Sequence, residues 1–318
     1  MRNEKGVVVG SRGSKLALIQ TNWVISKLKQ LNPGVEFQLE KISTRGDKIT
    51  DVPLSRLGGV GLFTKELEVA LINEKIDIAV HSAKDLPTEI DNELTIGATP
   101  EREDPHDALI SANNETLESL PKKARIGTSS LRRRAHLLAF RPDFQILDLR
   151  GNLDTRIKKL ENGEMDAIIV AHAGLIRMGY TGTISQVIPF DIMLPAVAQG
   201  ALGIEIRKDD SRTKDIISEF NDKETKVAVE AERSLLAKLE GGCQVPIGAH
   251  AHIQENTLHL EAIICSLEGN RVVRDKQSGP IDQAVKIGNE LAQRMLENGG
   301  EEILREIRQK YSESINHI

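Results

Sequence analysis

The sequence predicts an α/β protein divided into three domains. The chain has 318 residues, more than one hydrophobic core usually organises. Strand-like and helix-like segments alternate from Val7 to Ile206, a pattern typical of largely parallel sheets. After that point three strand-like segments follow one another closely, as in an antiparallel sheet. We therefore expect two α/β domains and a third domain with a three-stranded antiparallel sheet.

The first predicted domain covers residues 1–100 and 200–218. Its expected strands are 7–9, 37–42 and 76–80, and its expected helices are 15–31 and 65–73. Residues 100–105 are polar and contain two prolines, which predicts a hinge. Residues 203–206 predict a strand that returns to a sheet after the second domain.

The second predicted domain covers residues 105–194 and the third covers residues 222–318. In the second domain we expect strands at 124–126, 145–149 and 167–171, with helices that start near Ser130 and Leu153. In the third we expect strands at 249–253, 258–265 and 271–276 and helices at 223–239, 281–296 and 301–311.

Composition limits the function classes. Apolar residues make up 39% and charged residues 28% of the chain, the balance of a soluble globular protein. No apolar run has the length of a membrane span, and the first residues lack the apolar core of a secretory signal. A net charge of −5 argues against general nucleic-acid binding. We expect a cytoplasmic protein with neither a nucleic-acid nor a membrane partner.

Arginines and hydroxyl residues gather where predicted strands end and helices begin. Arg12 and Ser14 follow the first strand, and Arg150 and Arg156 follow a later one. The sharpest cluster places three hydroxyl residues before three arginines: Thr128, Ser129, Ser130, Arg132, Arg133 and Arg134. Because a guanidinium donates two parallel hydrogen bonds to a carboxylate, several such sites predict a ligand with several carboxylates. Phosphate or DNA binding by the arginine helix, and ordinary helix capping, are the alternatives.

Lys84 and Asp85 form a charged pair at the end of a buried strand. An aspartate in that position suits general acid–base catalysis or the stabilisation of a cation, and the lysine suits an anion beside it. A surface ion pair of little energetic consequence is the alternative. We expect His81, on the same strand, to be a core histidine.

The chain has two cysteines, Cys243 and Cys265. Cys243 lies in a glycine-rich loop after a long helix, a position that favours an exposed thiol. Such a thiol could serve covalent chemistry or could be incidental. Cys265 lies in an apolar strand and is expected in the core. The glycines at 58, 59 and 61 match no nucleotide-binding motif. His250, His252 and His259 are expected to be polar surface, and no metal site is predicted.

Several motifs together resemble the porphobilinogen deaminase family, from about Val8 through the last domain. The matching stretches include Ser43-Thr-Arg-Gly-Asp47, Gly61-Leu-Phe-Thr-Lys-Glu-Leu-Glu68, Val80-His-Ser-Ala-Lys-Asp-Leu-Pro87, Arg102-Glu-Asp-Pro105, Gly127-Thr-Ser-Ser-Leu-Arg-Arg133, Leu149-Arg-Gly-Asn152, Pro195-Ala-Val-Ala-Gln-Gly200 and Gly241-Gly-Cys-Gln-Val-Pro-Ile-Gly248. The resemblance implies two periplasmic-binding-protein-like domains with a central cleft and a third α/β domain with the cysteine loop.

The resemblance also implies the chemistry. Cys243 would carry a dipyrromethane primer through a thioether bond, and Asp85 would be the catalytic acid and base that condenses porphobilinogen onto it. The residues implied to bind the primer are Lys84, Asp85, Thr128, Ser129, Ser130, Arg132, Arg133 and Gly174. Those implied to bind substrate are Arg12, Ser14, Phe63, Arg150, Arg156, Arg177 and Gln199. The family further implies a monomer.

One position departs from the family pattern. Relatives commonly have a lysine in the glycine-rich loop where this chain has Val60, so a carboxylate contact is expected to be missing there. Two other classes fit parts of the pattern: a non-catalytic binder of small anions, and a transcriptional regulator that uses the arginine helix.

Overall fold

A computed structural model describes residues 6–48, 61–239 and 245–316. Val60 and Cys243 therefore lie outside the described residues. The described chain forms two compact units: one from residues up to 103 together with 200–226, and one from 104–199 together with 227 onward. The predicted three-domain boundaries stay a prediction. No helix within the described ranges has the length and apolar character needed to cross a membrane.

The first unit contains a five-stranded sheet with the order β2-β1-β3-β10-β4. Its strands are β1 (Gly6–Arg12), β2 (Glu36–Ile42), β3 (Ile78–Ser82), β4 (Leu94–Ala98) and β10 (Leu202–Arg207). β1 pairs in parallel with β2 and β3, whereas β10 runs antiparallel to β3 and β4. The expectation of a largely parallel sheet thus holds for β1, β2, β3 and β4, which share one direction, and was wrong for β10. Two of the four strand pairings are antiparallel because this returning strand enters the sheet in the opposite direction.

Four helices of the first unit are described: α1 (Lys15–Leu31), α2 (Arg45–Lys48), α3 (Lys65–Ile72) and α7 (Ser211–Ile217). Of these, α1, α3 and α7 pack on this sheet. α1 begins after Ser14, whose hydroxyl accepts a hydrogen bond from the N–H of Ala17 at 3.3 Å. Its apolar face, with Val24 and Leu28, is buried against alternate residues of β1. This packing fixes the end of β1, where Arg12 lies.

The second unit repeats the plan with the strand order β7-β6-β8-β5-β9. The strands are β5 (Asp107–Ser111), β6 (Arg125–Gly127), β7 (Gln145–Leu147), β8 (Ala167–Ala171) and β9 (Gln186–Ile188). The helices are α4 (Leu131–Phe140), α5 (Leu153–Glu161) and α6 (His172–Met178). β5 again runs antiparallel to its neighbours β8 and β9. The strands β4, β5 and β9 were not predicted.

The same unit includes the predicted three-stranded antiparallel sheet, in the order β11-β12-β13. The strands of this sheet are β11 (Ile247–Gln254), β12 (Thr257–Cys265) and β13 (Val272–Pro280). The helices near it in sequence are α8 (Lys223–Lys238), whose first four residues belong to the first unit, α9 (Ala284–Met295) and α10 (Glu301–Asn316). The turn after β12 packs tightly on α4: Gly269 has a φ of +70°, and a Cβ there would lie 2.6 Å from the carbonyl oxygen of Ala135. The predicted mixed α/β fold is confirmed.

Candidate active site

Asp85 ends a single 3-10 turn, Ala83–Asp85, that follows β3 directly. The N–H of Ala83 donates to the carbonyl oxygen of Ala201 at 3.0 Å, which ties this turn to the segment before β10. About one third of the Asp85 side chain is exposed, and its Oδ2 lies 4.0 Å from Nη1 of Arg12. The acid is therefore held at the end of two neighbouring strands without a tight ion pair to that arginine.

Phe63 completes this group. The guanidinium carbon of Arg12 lies 4.1 Å from the centre of the Phe63 ring, a cation–π distance. The ring is held against Gly46, where a Cβ would lie 2.2 Å from it. The structure thus brings together three predicted site residues, Arg12, Phe63 and Asp85, which we call the Asp85 site.

Two more predicted residues lie on the same elements. Ser14 caps α1 two residues after Arg12, so its hydroxyl has a structural role. Lys84 is half-buried in the turn with Asp85. Gln20 on α1 donates to the hydroxyl of Ser82 at 3.1 Å, which links the helix to the end of β3.

A second group of predicted residues surrounds a carboxylate that the sequence did not single out, Asp107. Nε and Nη2 of Arg133 donate to its Oδ1 at 3.1 and 2.7 Å, and Nε2 of Gln199 donates to the same oxygen at 3.0 Å. Nη1 of Arg132 lies 2.7 Å from Oδ2. We call Asp107, Arg132, Arg133 and Gln199 the Asp107 cluster.

The Asp107 cluster is buried, yet its carboxylate is charged. Burial alone would raise the pKa of Asp107, but the guanidiniums of Arg132 and Arg133 outweigh that effect and hold its pKa well below the usual range. Both arginine side chains are less than one tenth exposed. Two cations around one anion leave one surplus positive charge in the interior.

The hydroxyl residues before α4 are engaged locally. Ser130 caps the helix and accepts from the N–H of Arg133 at 3.4 Å. Ser129 donates to the carbonyl oxygen of Leu149 at 2.9 Å and accepts from its N–H at 3.0 Å. Thr128 accepts from the N–H of Ser130 at 3.2 Å. These contacts place the start of α4 beside the segment that leads to Arg150.

The other predicted residues follow β7 and β8. Arg150 is half-buried, and Nε of Arg156 donates to the carbonyl oxygen of Gly151 at 2.9 Å. Gly174 and Arg177 lie on α6, directly after β8. The ligand-binding roles of all the predicted residues remain predictions.

Two buried acids were missed by sequence reasoning. Asp107 follows the polar segment that predicted a hinge, so its strand was not predicted. Glu205, on β10, lies 3.0 Å from Nε2 of His81, and both side chains are almost fully buried. His81 is therefore a core histidine, as expected. An acidic residue inside an apolar strand was the available signal for Glu205.

A ladder of rings crosses the second unit. His106 stacks on Phe190, Phe190 lies against His250, and His250, His252 and His259 stack in turn with centroid distances of 5.6 and 5.1 Å. The three histidines on the third sheet were expected to be polar surface. His252 is exposed, and His250 and His259 are half-buried.

Cys265 is fully buried in β12. Burial raises the pKa of its thiol to about 12, so it is protonated and inert at neutral pH. It was correctly expected in the core.

Comparisons with known proteins agree with these motifs. The model described as "Porphobilinogen deaminase, dipyromethane cofactor binding domain" matches residues 7–215, and "Porphobilinogen deaminase, C-terminal domain" matches residues 226–297. A porphobilinogen deaminase of Desulforamulus reducens is 51% identical, with 95% of this chain and 98% of that protein covered. One from Carboxydothermus hydrogenoformans is 49% identical, with 98% and 100% covered.

Among solved structures, the chain is similar to a probable amino-acid ABC transporter extracellular-binding protein of Bacillus subtilis, with a TM-score of 0.41 and 17% identity. That similarity covers 68% of this chain and 90% of the other. The two family models together cover most of the sequence, and the relatives match it almost end to end. The chain belongs to the porphobilinogen deaminase family.

Proposed function

We propose that the chain is a hydroxymethylbilane synthase, a transferase that joins four porphobilinogen molecules head to tail on a dipyrromethane held by Cys243. The observation that carries the proposal is the Asp85 site, where a partly exposed carboxylate lies beside a guanidinium and an aromatic ring. Family membership over nearly the whole chain supports the same activity.

The described residues fit a dipyrromethane. Such a group has four carboxylates, and the Asp107 cluster holds one surplus positive charge together with an unpartnered buried donor. Nε of Arg132 is buried and has no hydrogen-bond partner among the described residues. An anionic ligand would satisfy both the charge and that donor. Lys84, Thr128, Ser129, Ser130, Arg132, Arg133 and Gly174 are the residues proposed to hold it, with Cys243 as the attachment point.

When bound, the dipyrromethane supplies a pyrrole carbon as nucleophile. In each condensation the C–N bond of the substrate's aminomethyl group breaks and ammonia leaves, a C–C bond forms to the pyrrole carbon, and that carbon loses the proton it held. After four condensations, hydrolysis releases hydroxymethylbilane. Asp85 is proposed to protonate the departing amine and then to accept the proton that leaves the pyrrole carbon. Its partial exposure and its 4.0 Å distance from Arg12 suit this role, because at that distance Arg12 does not hold the carboxylate in a close ion pair.

Arginines orient the substrate in this proposal. The guanidinium of Arg12 lies over the ring of Phe63, and this contact restricts the orientation of the side chain. Each porphobilinogen has two carboxylates, so several docking positions are needed. We propose Arg12, Ser14, Arg150, Arg156 and Arg177 as these positions, with Phe63 and Gln199 beside them. A cytoplasmic monomer that acts on this small molecule alone completes the proposal.

Intact mass tests this function directly. The intact masses of the purified chain and of its Cys243→Ser variant are measured before and after addition of porphobilinogen. Both proteins are also treated with an aldehyde reagent that colours pyrroles. We expect a two-pyrrole mass excess and colour in the parent chain only. A parent chain that gains no pyrrole mass even with porphobilinogen would refute the proposal.

A further inference from the structure

Asp107 has no part in the function proposed above, although it contacts residues that do. It is the first residue of β5 and is fully buried. A buried carboxylate in an apolar strand is costly unless it is paired and hydrogen-bonded. Asp107 meets that condition with Arg132, Arg133 and Gln199, which come from two other segments of the chain.

The contacts fix the plane of the Arg133 guanidinium. Nε and Nη2 both donate to Oδ1 of Asp107, and Nη1 donates to the carbonyl oxygen of Ile169 at 3.0 Å. Three of its nitrogens are thus held by one strand end and the neighbouring strand β8. A guanidinium held in this way loses little conformational entropy when a ligand binds.

Arg132 is held differently. Its Nη1 donates to the carbonyl oxygen of Leu194 at 2.6 Å and lies 2.7 Å from Oδ2 of Asp107. That ion pair lacks hydrogen-bond geometry, since Oδ2 of Asp107 has no hydrogen-bond partner among the described residues. Nε of Arg132 also has no hydrogen-bond partner among them. Arg132 is therefore anchored at one nitrogen and keeps a buried donor available.

The neighbours of the cluster do not neutralise it. Burial lowers the pKa of His136 to about 3, helped by Arg132, so this ring is neutral at physiological pH. Cys265 is protonated, and Arg274, which also acts on His136, is already paired with Glu261, its Nε lying 2.8 Å from Oε1.

We propose that Asp107 is a positioning residue for the dipyrromethane: it fixes the guanidiniums of Arg132 and Arg133 so that they present donors to one carboxylate of that group. The inference rests on the proposed function. Asp107 acts through the two arginines and does not touch the ligand.

The test measures loading of the apoprotein, not turnover. Apoprotein is made in cells that lack porphobilinogen, porphobilinogen is added, and the fraction with the two-pyrrole mass excess is followed over time. We expect Asp107→Asn to slow loading at least tenfold. Loading at the parent rate would overturn the inference, whereas a parent chain that never loads would overturn the proposed function instead.

Asp77 provides a matched control. It is also a buried aspartate paired with an arginine, with Oδ1 3.0 Å from Nη2 of Arg207, but it lies in the first unit. Asp77→Asn should lower the melting temperature and leave the loading rate unchanged. If Asp77→Asn slows loading as much as Asp107→Asn, a general loss of stability explains both and the inference fails.

A double-mutant comparison separates positioning from simple stability. If Asp107 acts through the arginines, the factor by which Asp107→Asn slows loading should shrink at least threefold in an Arg132→Gln background. An equal factor in both backgrounds would contradict the inference.

Should Asp107→Asn fail to fold, Asp107→Glu replaces it, because glutamate keeps the charge but moves the carboxylate by one methylene. Loading at least fivefold slower with unchanged circular dichroism supports positioning, and loading at the parent rate overturns it.

Discussion

Two aspartates of this chain each lie beside arginine, yet their surroundings differ. Asp85 is about one third exposed and lies 4.0 Å from Arg12. Asp107 is fully buried and accepts close contacts from Arg132, Arg133 and Gln199. The same residue types therefore have different surroundings: the Asp85 carboxylate stays accessible at a distance from its arginine, while close contact and burial keep the Asp107 carboxylate charged.

The two aspartates are also expected to differ in what their substitution changes, the turnover rate or the stability of the fold. An exposed pair at 4.0 Å contributes little to folding, whereas breaking a buried pair leaves charges unpaired in the interior. Substitution at Asp85 should therefore act on turnover, and substitution at Asp107 on the fold and on loading.

The largest expected effect is on turnover in Asp85→Asn. The amide keeps the shape but neither donates nor accepts the proton, so the rate of porphobilinogen consumption should fall about 10³-fold. Stability in urea should change by less than about 1 kcal/mol. Rates are compared on protein of equal pyrrole content by mass. A rate within tenfold of the parent would remove Asp85 from its catalytic role.

The second largest expected effect is a loss of stability in Asp107→Asn. Loss of the carboxylate leaves two buried guanidiniums without their anion, which should cost about 3–5 kcal/mol of unfolding free energy. Urea unfolding followed by circular dichroism measures it, with Asp85→Asn as the reference variant. If both variants unfold at the same urea concentration, the contrast between the two sites is wrong.

The protonation of His136, a buried histidine beside Arg132, can be followed through the pH dependence of stability. Both of its buried ring nitrogens lack partners among the described residues, and its pKa in the fold is about 3. Below its ordinary pKa of about 6.5 the unfolded chain binds a proton that the folded chain does not. Its contribution to stability is therefore present above that pH and falls as the solution is acidified.

Replacing His136 with leucine should remove this dependence. Relative to the variant, the parent chain should lose about 2 kcal/mol of stability between pH 7 and pH 5, from about 1.4 kcal/mol per unit below 6.5. Urea unfolding at the two pH values measures the difference. Parallel losses in both proteins would show that His136 already accepts a proton in the fold.

The smallest expected effect comes from Arg12→Lys. Lysine keeps the charge but loses the planar contact with Phe63, worth about 0.5–1 kcal/mol at a partly exposed site. We expect KM for porphobilinogen to rise about two- to fivefold with a smaller change in kcat. The exposed Arg212, substituted with lysine, is the control. An unchanged KM would mean that the ring contact does not orient the arginine for substrate.

Much of this arrangement followed from local sequence pattern. The amphipathic period of α1 gave its bounds without error, and the closely spaced strands of the third sheet were found within a few residues. The mixed direction of the two five-stranded sheets was not predicted. β10 enters its sheet after a long excursion of the chain, and strand direction after such an excursion leaves no periodic signal.

Candidate site residues could be proposed from the sequence where ligand chemistry selects residue types. Arginine clusters at strand ends indicated anion binding, and the family motifs singled out Asp85. The role of Asp107 was not predicted because its partners, Arg132, Arg133 and Gln199, lie 25 to 92 positions away in the sequence. Sequence alone could not tell an arginine presented to a ligand from one already held by a buried acid.

The burial of Cys265 turns a simple thiol assay into a count of loaded molecules. With its pKa raised to about 12, Cys265 does not react with a thiol reagent at neutral pH while the chain is folded. The chain has one other cysteine, Cys243. A thiol that reacts in the folded chain at neutral pH would therefore be that of Cys243. We expect the number titrated per chain to fall from one when the chain is empty to none when Cys243 is bound as a thioether, and the fractional value between them gives the loaded share of any preparation.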